Sequence, residues 1–125
     1  IVTKPLALVF YENLLPGSQL ANRLQDLGYR VVTIHDVDLL VEQAVQEKPL
    51  LVITDLSSRK ADVCQAIEKL KKNPATAHLP VLAFVKGENL KLQEAARLAG
   101  ATLVAGDIAI LEQLPQLLEQ ALEVE

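Results

Sequence analysis

Short, wholly apolar segments alternate along the chain with longer segments in which apolar residues recur at helical spacing. The apolar segments predict five β-strands, at 6–10, 31–34, 50–54, 80–85 and 102–105. The periodic segments predict helices at 13–28, 37–48, 61–73, 89–100 and 111–124. Strands that are apolar on both faces, each followed by a helix, are typical of a parallel sheet covered on both sides. The pattern therefore predicts a doubly wound α/β domain.

Pro115 lies inside the last predicted helix, where it has no amide hydrogen for the helical hydrogen bond. We expect either a kink there or a helix that begins near this residue. No linker divides the 125 residues, so the sequence predicts a single domain over 1–125. The sequence contains no methionine, so residue 1 is not an intact initiator and we expect the chain to be trimmed or cut from a longer protein.

Composition and charge exclude several classes of partner. A net charge of -4 with scattered basic residues argues against a nucleic-acid surface, because phosphate binding needs clustered positive charge. No apolar run approaches the roughly 20 residues that span a bilayer, so no membrane contact is expected. The single cysteine, Cys64, has no disulfide partner, which fits a cytoplasmic setting.

Candidate chemistry lies just after the strands, because ligands of open parallel sheets bind beyond the carboxyl ends of the strands. Asp55 ends the apolar run LLVITD, so its strand would carry a carboxylate from the core to this edge. His35 and His78 do not have the spacing of metal ligands. No glycine-rich loop follows a strand, which argues against a nucleotide cofactor, and Ser57 lacks the glycine pattern of a hydrolase nucleophile.

Three segments resemble the receiver domain of two-component response regulators, in an order and spacing that cover essentially the whole chain. They are LLVITDL (50–56), NPATAHLPVLAFV (73–85) and AARLAGA (95–101). The resemblance implies the flavodoxin-like (βα)5 fold with strand order 2-1-3-4-5. It also implies a role in signalling rather than an enzymatic one.

Receivers accept phosphate on an aspartate, which holds Mg²⁺ together with two adjacent acids after the first strand. A Ser or Thr after the fourth strand and a Lys after the fifth bind the added phosphoryl group. The resemblance places the phosphoacceptor at Asp55 and the acid pair at Tyr11 and Glu12. The hydroxyl position falls on Val85 and the lysine position on Asp107. Glu12 and Asp55 therefore remain as candidate ligands for a weakly held Mg²⁺, and no other cofactor is expected.

The substituted positions oppose phosphorylation. A phosphorylated aspartate carries nearly two negative charges, and each unit pair about 5 Å apart is worth roughly 3 kcal/mol at an effective dielectric of 20. Asp107 in place of lysine turns that attraction into repulsion, for which Lys86, Arg59 or Lys60 would compensate only in part. Val85 cannot donate a hydrogen bond. We predict a pseudo-receiver whose phosphorylation switch is lost or weakened, the alternative being a receiver that accepts phosphate on Asp55 from a histidine kinase.

Without phosphorylation, function should lie in a binding surface. Receivers commonly bind partners, or dimerise, through the fourth helix, fifth strand and fifth helix. The resemblance therefore implies a protein partner or a homodimer on a face that includes Lys91, Glu94, Arg97, Leu103, Ile108 and Ile110. The apolar run IAIL (108–111) is either part of the core or an exposed patch.

Overall fold

The computed structural model describes residues 5–12, 14–57, 62–87 and 89–123, with the backbone alone at 14–16 and 123. Within these residues, five parallel strands form one sheet in the order β2-β1-β3-β4-β5. They are β1 (Leu6–Phe10), β2 (Arg30–Ile34), β3 (Leu51–Asp55), β4 (Val81–Val85) and β5 (Leu103–Gly106). The predicted fold class and strand order are confirmed.

Helices connect the strands and cover both faces of the sheet. They are α1 (Leu14–Asp26), α2 (Leu40–Glu47), α3 (Val63–Lys72), α4 (Leu90–Ala99), α5 (Asp107–Glu112) and α6 (Leu114–Glu123), and a 3-10 turn at Val37–Leu39 precedes α2. Local side chains set several helix ends. The Asp62 carboxylate accepts from the Cys64 amide at 3.0 Å, and Asn89 accepts from the Leu92 amide at 3.1 Å. Gly100 ends α4 in the left-handed conformation at φ 117°.

The C-terminal helical region differs from the single predicted helix. A helix already begins at Asp107, directly after β5, and ends at Glu112. A second helix begins at Leu114, so Pro115 lies in its first turn, where an amide hydrogen is not needed. The expectation of a helix that begins near Pro115 is confirmed, and the helix at Asp107–Glu112 adds an element where the sequence predicted none before residue 111.

Two apolar layers enclose the sheet. The layer toward α2, α3 and α4 contains alternate strand residues such as Phe10, Val52 and Val85. The opposite layer, toward α1, α5 and α6, contains Val9, Ile53 and Phe84 among others. Since successive strand residues point to opposite faces, this alternation explains why the strands are apolar throughout. Across the described part of the chain, no helix combines the length and apolar character needed to cross a membrane.

Candidate functional site

Asp55 is the last residue of β3, in the centre of the sheet, where it pairs in register with Phe84 of β4. The side chains of Asp55 and Ile53 lie on the same face because strand residues alternate. Asp55 is only 3% exposed, so its carboxylate stands at the carboxyl edge of the sheet but is covered by its surroundings. The predicted position at the end of the third strand is confirmed, and the structure shows that the side chain is almost fully covered there.

Ser57 supplies the hydrogen bonds of the Asp55 carboxylate. Its backbone N–H donates to Asp55 Oδ1 at 2.8 Å, and its hydroxyl makes a further hydrogen bond to the same side chain. The Ser57 hydroxyl oxygen also accepts from the backbone N–H of Lys86, at 3.2 Å. The acid, the serine and the loop after β4 therefore form one chain of hydrogen bonds.

The electrostatic surroundings of Asp55 disfavour further negative charge. Burial raises the pKa of the Asp55 carboxyl, and the Ser57 hydrogen bonds lower it only in part. Repulsion from the carboxylates of Glu12 and Asp107 raises the pKa of Asp55 further. Among the described residues, no lysine or arginine contributes to the shift. Arg59 and Lys60, two of the side chains expected to compensate, lie outside the described residues.

Tyr11 directly follows β1 and belongs to the core rather than to a metal site. Its ring is 6% exposed and packs in the layer toward α1. The ring also stands perpendicular to that of His35, with centroids 4.7 Å apart, and His35 Nδ1 lies 3.0 Å from the Tyr11 carbonyl oxygen. A Cβ placed on Gly17 would lie 2.8 Å from Tyr11 Cε2, so the glycine makes room for the phenol. Tyr11 therefore contributes a packed aromatic ring, and no carboxylate, after β1.

Val85 and Asp107 are the other two residues that were predicted to line the pocket around Asp55. Val85 is 1% exposed and packs in the apolar layer toward α2, α3 and α4. Asp107 begins α5, and its Oδ1 accepts from the backbone N–H of Gly87 at a longer distance of 3.4 Å. The structure therefore brings Glu12, Asp55 and Asp107 together as interacting acids, and gives Asp107 a contact with the loop after β4.

These residues do not fit a firmly held magnesium ion. In the described part of the chain, no group of three or more His, Cys, Asp or Glu side chains is arranged to hold a metal ion. Glu12 and Asp55 repel each other in the absence of a cation, and as only two carboxylates they would leave most ligand positions of Mg²⁺ to water, which gives a weak site. Tyr11, which the resemblance predicts at one of the acid positions, offers a packed aromatic ring and no carboxylate.

The candidate interaction face is only partly exposed. The helix α4 presents Lys91 to solvent, and Glu94 and Arg97 form an exposed ion pair at 3.5 Å. Leu103 is partly buried in the edge strand β5, whereas Ile108 is 67% exposed. Ile110 is fully buried, because it faces the core from α5 two residues further along. Its assignment to an interaction face is therefore wrong, and the IAIL run contributes to both core and surface.

Sequence reasoning missed two leucines on α4. Leu90 is 73% exposed and Leu98 is 80% exposed, the most exposed large apolar side chains among the described residues. The signal was present, because helical spacing places both on the side opposite Ala96 and Ala99, which face the core. It also missed the role of Ser57, for which local sequence gives no signal.

Comparisons with known proteins concern the whole fold. No protein-family model and no curated protein matches the sequence. Among solved structures, a putative response regulator from Chloroflexus aurantiacus J-10-fl superposes with a TM-score of 0.82 at 17% identity, covering 94% of this chain and 99% of that one. The signal receiver domain of a modulated diguanylate cyclase from Desulfovibrio desulfuricans G20 gives 0.80 at 18% identity, covering 97% and 95%. A LuxR-family two-component response regulator from Aurantimonas sp. SI85-9A1 gives 0.83 at 16% identity, covering 97% and 86%. The chain therefore has the fold of response-regulator receiver domains.

Proposed function

We propose that this chain is a pseudo-receiver, a signal-transduction module that works by binding a protein partner and does not depend on phosphorylation. It acts as a binding module and not as an enzyme, and we place it in the cytoplasm, where the free thiol of Cys64 fits a reducing setting. The observation that carries the proposal is the surroundings of Asp55, a buried acid repelled by Glu12 and Asp107.

Charge is the main argument against phosphate transfer to Asp55. Transfer to a carboxylate requires positive groups that neutralise the incoming phosphoryl charge. Here the carboxyl already has a raised pKa because of burial and neighbouring acids, which is the signature of a site short of positive charge. The phosphorylated side chain would carry almost two negative charges at the same point. Such a product would be strongly disfavoured.

Loss of a responsive side chain argues against a phosphorylation switch. A ligand shifts a conformational equilibrium only through interactions that differ between the two states. Val85 has no hydrogen-bonding group and is packed in the core, so it gains nothing from an added phosphoryl group. Val104, where receivers often carry an aromatic residue, is a small aliphatic side chain in the edge strand. Neither side chain has a group that would form a new hydrogen bond when Asp55 is phosphorylated.

The binding surface that supports the proposal consists of α4, the edge strand β5 and the start of α5. Leu90, Leu98 and Ile108 are each at least two-thirds exposed, and Lys91 with the Glu94–Arg97 ion pair adds charge of both signs. Exposed apolar side chains beside polar ones are typical of protein-interaction sites. The partner is another protein or a second copy of this chain.

The phosphorylation test uses intact-mass analysis after incubation with acetyl phosphate and magnesium. We expect no mass increase in the natural chain. A triple variant that carries Tyr11→Asp, Val85→Thr and Asp107→Lys is the matched control, because it restores the missing functional groups around Asp55. A gain of one phosphoryl group by the natural chain that disappears in Asp55→Asn would contradict the proposal.

The second candidate function is a receiver that a histidine kinase phosphorylates on Asp55. The proximity of Glu12 to Asp55 favours it, because the two carboxylates interact and together offer a minimal site for a divalent cation. This function predicts that magnesium is needed for the mass gain and that Glu12→Gln abolishes it. The first function predicts that neither change has an effect.

A further inference from the structure

The loop after β4 is held by two side chains that follow the neighbouring strands, Ser57 after β3 and Asp107 after β5. The backbone N–H of Lys86 donates to the Ser57 hydroxyl oxygen at 3.2 Å, on the β3 side. The next amide, that of Gly87, donates to Asp107 Oδ1 at 3.4 Å, on the β5 side. Gly87 has a φ of 73°, a conformation that favours glycine, so the loop geometry is specified by the sequence as well.

Ser57 is itself held in place by the end of β3. Its own N–H donates to Asp55 Oδ1 at 2.8 Å, and the preceding amide, that of Leu56, donates to the Phe84 carbonyl oxygen at 2.8 Å. Asp55 is 3% exposed and its bond to the Ser57 amide is part-buried, whereas the bond between the Lys86 amide and the Ser57 hydroxyl is exposed to solvent. The carboxylate therefore fixes the serine, and the serine fixes the Lys86 amide.

We propose that Ser57 is a built-in latch that joins the end of β3 to the loop after β4 without any phosphoryl group. The backbone N–H groups of Ser57 and Lys86, which could otherwise bind an added anion at this edge, already have acceptors. Asn89, the residue that caps α4, lies three residues after Lys86. We expect the latch to restrain the start of α4, which Asn89 caps, and with it the exposed Leu90.

This inference deepens the proposed function and rests on it, because a latch made by a serine matters only where a phosphoryl group does not set the loop. It also gives Asp55 a role, since the carboxylate anchors the latch instead of accepting phosphate. Ser57 is a positioning residue in this account. The hydroxyl, and not the bulk of the side chain, is the group that acts.

Amide hydrogen exchange followed by nuclear magnetic resonance tests the latch in the whole chain. Ser57→Ala removes the hydroxyl, and we expect the Lys86 amide to exchange about fivefold faster, the change that corresponds to one net hydrogen bond. Amide shifts from Lys86 to the first turn of α4 should move as well. Ser57→Thr keeps a hydroxyl and should preserve both properties. The Leu56 amide, bonded to the Phe84 carbonyl, is an internal control that should not change.

The anchoring by Asp55 is tested with a second variant and a combination. Asp55→Ala should also speed exchange at Lys86, and the double variant should exchange no faster than Ser57→Ala, because the two groups act in one chain. Unchanged Lys86 exchange in Ser57→Ala would overturn the latch, as would equal effects of alanine and threonine at this position. Either outcome leaves the phosphorylation test untouched, so failure of the latch and failure of the pseudo-receiver proposal are distinguishable.

Discussion

Replacing Gly17 by alanine tests the claim that the Tyr11 ring is packed tightly against α1. Gly17 lies in α1, where alanine is ordinarily preferred over glycine by about 1 kcal/mol. A helix propensity argument alone therefore predicts that Gly17→Ala stabilises the protein. The structure predicts the opposite, because the new methyl group would collide with the ring of Tyr11.

The size of the collision sets the magnitude. The added Cβ would lie 2.8 Å from Tyr11 Cε2 and closer still to two other ring atoms, whereas carbon atoms in contact are ordinarily about 3.5 to 4.0 Å apart. The ring cannot easily retreat, because it is 6% exposed and contacts His35. Overpacking of this kind costs about 1 to 3 kcal/mol. After the gain in propensity, we expect a net loss of about 1 kcal/mol.

Urea unfolding of a double-mutant cycle is the assay. On the natural background, Gly17→Ala should lower the free energy of unfolding, and in a separate thermal unfolding experiment it should lower the midpoint temperature by about 4 °C for each kcal/mol. On a Tyr11→Ala background the ring is gone, and the same substitution should stabilise the protein. Stabilisation by Gly17→Ala in the presence of the ring would refute the reasoning.

Four further predictions follow from burial, charge and backbone conformation. Ile110→Ala should lower the free energy of unfolding by about 2 to 5 kcal/mol, and Ile108→Ala by less than about 0.5 kcal/mol, in matched urea titrations, because only Ile110 is buried. Asp55→Asn should raise the free energy of unfolding at neutral pH, because the raised pKa of Asp55 means that its ionised form destabilises the folded chain. The gain should vanish as the pH falls below about 3.9, where the carboxyl is protonated in both the folded and the unfolded chain. A gain that persists in acid would contradict this. Leu98→Lys should change the free energy of unfolding by no more than about 0.5 kcal/mol and the melting temperature by no more than about 2 °C. The same substitution should weaken self-association or partner capture, as measured by sedimentation. Lys48→Gly should stabilise the protein by up to about 1 kcal/mol in thermal unfolding, because Lys48 ends α2 at φ 51°.

The fold could be predicted from the sequence because its signals are local. Strands buried on both faces leave continuous apolar runs, and helices between them leave periodic ones. The same local reasoning placed a helix start near Pro115, which lacks an amide hydrogen. It assigned no element to 106–110, because the six-residue helix Asp107–Glu112 is too short to show a clear period and depends on burial of Ile110 against the sheet.

The candidate site was only partly predictable, because its properties depend on contacts between distant residues. The alignment of strand ends placed Asp55, Glu12 and Asp107 at one edge, as the sequence indicated. The fit between Tyr11 and Gly17 and the bond between Ser57 and Lys86 join different elements. No periodic pattern in the sequence indicates such pairs, so they become visible only in the folded structure.

The most direct test of the central claim is a titration of the isotope-labelled chain with beryllium fluoride and magnesium, followed by amide resonances. Beryllium fluoride mimics a phosphoryl group on an aspartate and reports both its capture and any structural response. We expect no shifts at Ser57, Lys86 or the first turn of α4. Saturable shifts that begin beside Asp55 and extend along α4, and that are absent in Asp55→Asn, would contradict a module independent of phosphorylation.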